Sequence, residues 1–391
     1  MDKEQAKEIR RYAEQHHNEQ VRFLRSLVEA ESPSLEPARL GAVFSLLADP
    51  LRRLGFQVRI LRGKQSGGQL FARPRQHPRG RPIQLLLGHC DTVWPVGKLN
   101  EMPLRLEGTH LAGPGVYDMK AGLTQVVFAL RALVDCGVEP TVTPVVYLTS
   151  DEELGSEDSR TRIQLIARRA NRVLVPEPAS GPEGKLKTTR KGVGLFEIAI
   201  EGRGAHAGVE PEAGISAVLE LSYVVQSLHA LGDPARGLTV TVGMASGGTR
   251  PNVVPPSARA VVDLRARTLD DARKAERAIR SLRPTLPGAR IVVTGGVDRP
   301  PMERTPGNRA LWRQAQEAGN LLDLELEECE SGGGSDGNLT SPFAPTLDGL
   351  GPIGKGAHAE DECVDLARLS ERTALLALLI AAPPTRIPRP Q

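Results

Sequence analysis

The chain has 391 residues, 40% of them hydrophobic and 25% charged, which is enough for two or three domains with a substantial core. A net charge of +3 without a basic run, and 3% aromatic residues, argue against a nucleic-acid-binding protein. No apolar stretch has membrane-spanning length, and the first twenty residues lack the apolar heart of a secretory signal. The four cysteines, Cys90, Cys136, Cys329 and Cys363, show no CxxC spacing. A cytoplasmic protein without a disulfide framework is expected, although an export signal already removed would leave the same sequence.

In chain order, Glu4 to Val28 reads as one helix and Leu40 to Leu54 as a second, closed by Gly55. Val58–Leu61 and Gln69–Ala72 read as strands around a Gly-rich turn. Three short, continuously apolar runs follow, each ending in polar chemistry. Ile83–Leu87 leads into Gly88-His89-Cys90-Asp91, Val145–Leu148 into Asp151-Glu152-Glu153, and Val173–Val175 into Pro176-Glu177. Such runs suit buried parallel strands. Between the first two, Lys120 to Cys136 reads as a helix. Its apolar stripe is Leu123, Val126, Val127, Leu130, Leu133 and Val134, and Gly137 ends it. The alternation of strand and helix predicts an α/β fold with a central, mostly parallel sheet.

The pattern then changes. Strands at Val193 to Glu201, Leu238–Met244, Ala258–Arg267 and Arg290–Thr294, with helices at Gly214 to Leu231 and Asp270 to Leu282, give the order β-α-β-β-α-β of a ferredoxin-like unit. We read this α+β unit, 191–298, as inserted between two halves of a catalytic domain, 1–190 and 299–391. Beyond it come a helix at Asn308 to Gly319, a Gly-rich segment from Ser331 to Asp336, an amphipathic helix from Leu366 to Ala382, and a loose Pro-rich tail from Pro383.

In open α/β sheets, ligands bind outside the carboxyl ends of the strands. Three strands delivering His and carboxylates to that edge suggest a site for more than one metal ion, and hence a hydrolase. His89 offers a ring nitrogen whose partner nitrogen Asp91 would orient, although an ordinary loop also explains the pair. Asp118, in Gly115-Val116-Tyr117-Asp118-Met119-Lys120-Ala121-Gly122, suits a helix N-cap or a carboxylate bridging two metals about 3.5–4 Å apart. Of Glu152 and Glu153, one would bind metal and the other act as a general base; an acidic surface turn is the simpler alternative. Glu177 is held between two prolines. His206, in Gly204-Ala205-His206-Ala207-Gly208, is a candidate for contact with the transition state or a structural histidine. His358, late and glycine-flanked, would complete a second ligand set.

Taken together, in the order HxD, GxxDxKxG, EE, PEP, HAG and a late GxH, these motifs resemble the dinuclear-zinc metallopeptidase family of carboxypeptidases, aminoacylases and acyl-amino-acid deacylases, above all its glutamate carboxypeptidase branch. The likeness runs from about Glu19 to Ala382. It implies one Zn²⁺ on His89 and Glu177, another on Glu153 and His358, and Asp118 bridging them through a residue whose peptide to Met119 is cis. Co²⁺ or Mn²⁺ would suit the same ligands. It also implies Glu152 as general base, Asp91 as orienter of His89, and an inserted lid and dimerisation domain. Through that domain His206 would reach the active site of the other subunit of a homodimer and stabilise the oxyanion. For substrate, Asn252 matches a residue near the scissile carbonyl, Arg265 and Arg299 match carboxylate-binding arginines, and Gly333 lies in the matching Gly-rich loop, where Ser335 replaces a usual Thr.

The function expected is hydrolysis of the amide bond to a C-terminal amino acid, with Glu152 moving the proton of an attacking water to the leaving amine. Two arginines for carboxylates favour glutamate, on acyl-glutamate or folate-like substrates. An aminoacylase or acetylornithine-deacetylase-like activity, or a detoxifying amidase, would use the same residues. A non-catalytic homodimeric binding module would be expected to have lost a ligand or the base, and here none is missing.

Overall fold

The computed structural model describes residues 1–78 and 80–386; the end of the Pro-rich tail, 387–391, lies outside the described residues. The chain forms two compact units. One comprises Met1–Thr188, Arg304–Ser331 and Ser335–Gln391, the other Thr189–Glu303 with Gly332–Gly334. The expected insert, 191–298, falls inside the second. Among the described residues no helix is long and apolar enough to cross a membrane.

The larger unit is organised by a six-stranded sheet. Its spatial order is Phe56–Leu61, Gln69–Pro74, Thr143–Thr149, Ile83–His89, Ala170–Leu174 and Thr346–Leu347. Ile83–His89 pairs in parallel with neighbours on both sides, Thr346–Leu347 is parallel to Ala170–Leu174, and the first two strands form an antiparallel edge. The continuous apolar runs follow from burial on both faces. Leu86, Val146, Leu148 and Leu174 join one core, while Leu85, Leu87, Val145, Tyr147 and Val173 join the other. Each buried leucine or valine contributes about 1.5–3 kcal/mol. The register sets His89 level with Thr149, so both strands release their polar residues at one edge.

Several elements differ from expectation. The first helix is two, Lys3–Gln15 and His17–Glu29. The break is at His16, whose Nδ1 lies 2.8 Å from the Tyr12 carbonyl oxygen and whose ring stacks on Tyr12; a local side-chain bond here competes with the helix. The helix Ala121–Asp135 buries the expected stripe except Val134, which is 55% exposed. The final helix, Leu369–Ala381, is not amphipathic. It is buried nearly all round because Lys3–Gln15, Ala121–Asp135 and Pro306–Leu321 pack around it. The start of the tail is not loose either, since the Thr385 N–H donates to Asn171 Oδ1 at 2.8 Å.

The smaller unit is an antiparallel sheet in the order Thr239–Gly247, Ser257–Ala266, Gly192–Glu201 and Arg290–Arg299. Chain order β-α-β-β-α-β with the first and last strands adjacent is ferredoxin-like. Helices Ala217–His229 and Leu269–Arg280 cover one face, over a core that includes Phe196, Ile198, Val224, Val262 and Ile279.

A polar element sits in the larger core. Arg172, fully buried and with no acidic partner among the described residues, donates to Gln84 Oε1 (2.8 Å) and to the carbonyls of Ala382 (2.8 Å) and Pro383 (2.7 Å). It thereby supplies donors just beyond the last turn of the C-terminal helix, where helical amides no longer do. Arg172→Met should leave Gln84 Oε1 and the Ala382 carbonyl without this donor, and the Pro383 carbonyl with Gln314 alone, and lower stability by roughly 3 kcal/mol. Urea denaturation of the variant checks this, and an unchanged midpoint would show the network to be dispensable.

Candidate metal centre

Four chain segments converge at the carboxyl edge of the large sheet, and a hairpin faces them. His89 ends its strand, and Glu152 and Glu153 lie on the single turn Glu152–Leu154, closed by Gly155 in the left-handed region. Glu177 follows Val175-Pro176 after the strand Ala170–Leu174. Asp118 occupies the tight turn Val116–Lys120 ahead of the helix Ala121–Asp135. Two glycines permit this approach. A Cβ on Gly122 would lie 1.9 Å from the Pro176 carbonyl oxygen, and one on Gly88 2.9 Å from Met119 Cε. His358, at φ 63°, sits on the loop between the paired strands Gly354–Lys355 and Cys363–Asp365.

The five proposed ligands form two sets that share one carboxylate. His89 Nε2 is 3.2 Å from Asp118 Oδ1 and 3.4 Å from Glu177 Oε1. His358 Nε2 is 3.5 Å from Asp118 Oδ2 and 3.1 Å from Glu153 Oε2. One ligand atom from each of His89, Asp118 and Glu153 lies within 4.8 Å of the others. The Asp118–Met119 peptide is cis, as the family resemblance implies.

The electrostatics match this donor set. Hydrogen bonds to Asp118 and Glu153 push the His358 pKa up to about 10. Burial opposes charge on His89, but bonds to Asp118, Asp91 and Glu177 raise its pKa well above the ordinary value. Asp118, despite burial, is held far below the usual carboxylate range by the two imidazoles, while burial and the Asp118 charge raise Glu177. Three carboxylates around two imidazoles demand positive charge, which protons on both rings or cations in their place provide. Nitrogen and carboxylate donors in this arrangement suit a pair of ions such as Zn²⁺, Co²⁺ or Mn²⁺.

Asp91 is placed differently from the simplest expectation. The nearest oxygen to His89 Nδ1 is the Asp91 main-chain carbonyl, at 3.0 Å, with carboxylate Oδ1 at 3.5 Å. The carboxylate also accepts from Ser34 Oγ (2.8 Å) and faces the Glu152 and Glu153 amides at 3.4 and 3.3 Å. Asp91 thus steadies the loop of the acidic pair as well as the ring. Ser34 and Glu362 went unremarked in the sequence. Glu362 is fully buried and accepts from the Asp118 turn, and only its position four residues after His358 marks it.

The remaining candidates belong to the smaller unit. Arg265 and Arg299 pair with opposite sides of Val193 on neighbouring strands, so they share one face of the sheet. Arg265 is engaged by Asp263, with Nε–Oδ1 and Nη2–Oδ2 both 2.9 Å. Arg299 is 5% exposed and lies beside Gly334. The Gly333 carbonyl accepts from Arg190 Nη1 at 3.1 Å, a residue the sequence reading did not single out. His206 and Asn252 are exposed neighbours. A bridge joins His206 to Val253, and the Ala207 amide donates to the Asn252 carbonyl at 3.0 Å.

Comparison with known proteins agrees with this geometry. The chain is 32% identical over 372 residues to "Carboxypeptidase G2" of Pseudomonas sp. (strain RS-16), covering 92% of this chain and 88% of that protein. It is 27% identical over 366 residues to a "Succinyl-diaminopimelate desuccinylase" of Xanthomonas campestris pv. campestris, covering 89% and 94%. The crystal structure of aminopeptidase PepT from Bacillus cereus superposes with a TM-score of 0.77 at 21% identity, covering 93% of this chain and 98% of that one, and so shares the fold. Residues 85–382 match the family model for peptidase family M20/M25/M40. The protein is therefore a metal-dependent hydrolase and belongs to peptidase family M20/M25/M40.

Proposed function

We propose that this hydrolase is a carboxypeptidase that releases a C-terminal amino acid, glutamate by preference, from acyl-glutamate or folate-like amides. The observation that carries the reading is the pair of ligand sets sharing Asp118, with Glu152 on the same turn as the ligand Glu153. The glutamate preference is supported by the likeness to carboxypeptidase G2 and by two arginines on one sheet face.

His89 and Glu177 would hold one Zn²⁺, Glu153 and His358 the other, and Asp118 both. Bound there, the ions would polarise the scissile carbonyl and acidify a water. Glu152 takes the proton of the attacking water and delivers it to the leaving amine. His206 donates to the oxyanion that develops on the carbonyl, with Asn252 nearby. Arg265 and Arg299 hold carboxylates by paired N–H donors, Arg265 exchanging Asp263 for the substrate, and Gly333 lines the substrate loop. Asp91 keeps His89 in the tautomer that presents Nε2. We further propose that the protein works as a homodimer through 191–298, His206 serving the site of the other copy, and that it is cytoplasmic, in keeping with four unpaired cysteines. The desuccinylase likeness favours one second reading, an N-acyl-amino-acid deacylase using the same machinery.

Glu152→Ala should lower kcat about 10³-fold or more while two equivalents of zinc remain bound; loss of metal in this variant would make Glu152 a ligand instead. Across acyl-glutamate, acyl-ornithine, acyl-methionine and folate-like amides, amino-acid release should be abolished by chelator, restored by zinc and fastest for glutamate. Preference for another amino acid would retain the metal reading and remove the assignment of Arg299. Co-expressed with Glu152→Ala, the inactive His206→Ala variant should regain activity, because the mixed dimer holds one complete site. No recovery in a verified mixed dimer would place His206 in its own subunit's site or outside catalysis.

A further inference from the structure

Asp118 must present one oxygen to each imidazole, yet it sits in a turn whose own hydrogen bonds do not hold it. Its φ and ψ, −112° and 98°, lie outside the helical region, as do those of Met119. The amides of Gly115, Tyr117 and Asp118 therefore need acceptors from elsewhere, while those of Val116 and Lys120 pair within the turn. They find one side chain. Glu362 Oε1 accepts from the amides of Tyr117 (2.9 Å) and Asp118 (3.1 Å), and Oε2 accepts from the amide of Gly115 (2.9 Å) and the indole Nε1–H of Trp94 (2.8 Å). The carboxylate is fully buried. Four donors aim at it, two to each oxygen, and a carboxylate satisfies all four because it is an acceptor only. Its main chain joins the same contact, the Gly113 amide donating to the Glu362 carbonyl at 3.1 Å.

Glu362 also belongs to the loop that carries His358. Its own amide closes that loop on the Ala359 carbonyl at 3.0 Å, one residue before the strand Cys363–Asp365. One buried side chain thus ties the turn of the shared ligand to the loop of a second ligand. We infer that Glu362 is a positioning residue for the metal pair, setting where Asp118 stands relative to His358 and so the binding of the ion that His358 and Glu153 would hold. This rests on the metal-centre reading above. Residues that orient metal ligands typically change affinity by about 10–100-fold when replaced.

The test is zinc titration against a competing chelator, with stoichiometry, on the full chain. Glu362→Gln keeps the shape of the side chain but turns an NH₂ group toward two of the four donors. It should weaken one of the two zinc equivalents by about 10–100-fold while the circular dichroism spectrum stays that of the wild type. Adding Trp94→Phe removes one opposed donor and should recover part of the loss. Wild-type zinc constants in Glu362→Gln, or a lower melting temperature with those constants kept within twofold, would overturn the inference and leave Glu362 a structural residue. If Glu362→Gln does not fold, hydrogen exchange in the metal-free wild type decides. The Gly115, Tyr117 and Asp118 amides should already exchange slowly, and fast exchange there until zinc is added would equally overturn it. A wild-type protein that binds no pair of ions fails the metal reading itself, an outcome distinct from two bound ions with no effect of Glu362.

Discussion

The constraint on which the rest of the larger unit depends is that Asp118 faces two imidazoles with its two oxygens, 3.2 Å from one ring and 3.5 Å from the other. A carboxylate in that position draws its field from both sides, and the neighbouring Glu153 and Glu177 add like charge that only cations or protons relieve. Satisfying it with both of those carboxylates alongside requires a turn, the ends of three strands and a hairpin loop to meet within a few ångströms. The parallel register supplies the strand ends at one level, and glycines at 88 and 122 let the turn come down onto them. Burial of both sheet faces makes the register strict, since the leucines along Ile83–His89 alternate between the two cores, Leu86 in one and Leu85 and Leu87 in the other.

Much of this was legible in the chain. Continuous apolar runs leading toward His89, Glu153 and Glu177 told of parallel strands that open at one edge, because a strand buried on both faces is mostly apolar along its length. The β-α-β-β-α-β order gave the smaller unit its topology. What was not legible depends on side-chain contacts, local or distant, that hydrophobic periodicity does not reveal. His16 breaks a helix through a bond to Tyr12 that periodicity does not reveal. The C-terminal helix reads as amphipathic in sequence, yet its Arg372 is buried with its guanidinium on the carbonyls of Gly351, Gly184 and Gly349. Glu362 stands beside Glu360 and Asp361 in the chain, and only the fold shows which of these acids turns inward. The engagement of Arg265 by Asp263, two residues away on the same face of a strand, was readable in principle from strand periodicity.

Buried polar groups recur as fasteners rather than as ion pairs. Arg172, Arg372 and Glu362 each gather several backbone groups and no opposite charge among their hydrogen-bond partners. Such networks specify one arrangement strongly because an alternative packing leaves several groups unpaired at once.

The ordering of ligands along the chain has a consequence for biosynthesis. The smaller unit's sheet and both its helices lie within one continuous stretch, Thr189–Glu303, so the ribosome releases nearly all of it before the larger unit has its last strand, its final helix or His358. Four of the five proposed ligands emerge early and the fifth arrives some 180 residues after Glu177. A nascent chain therefore exposes an acidic, incomplete metal site for much of its synthesis. That site can close, and cleavage begin, only once His358 has emerged, after every strand of the smaller unit's sheet has been made.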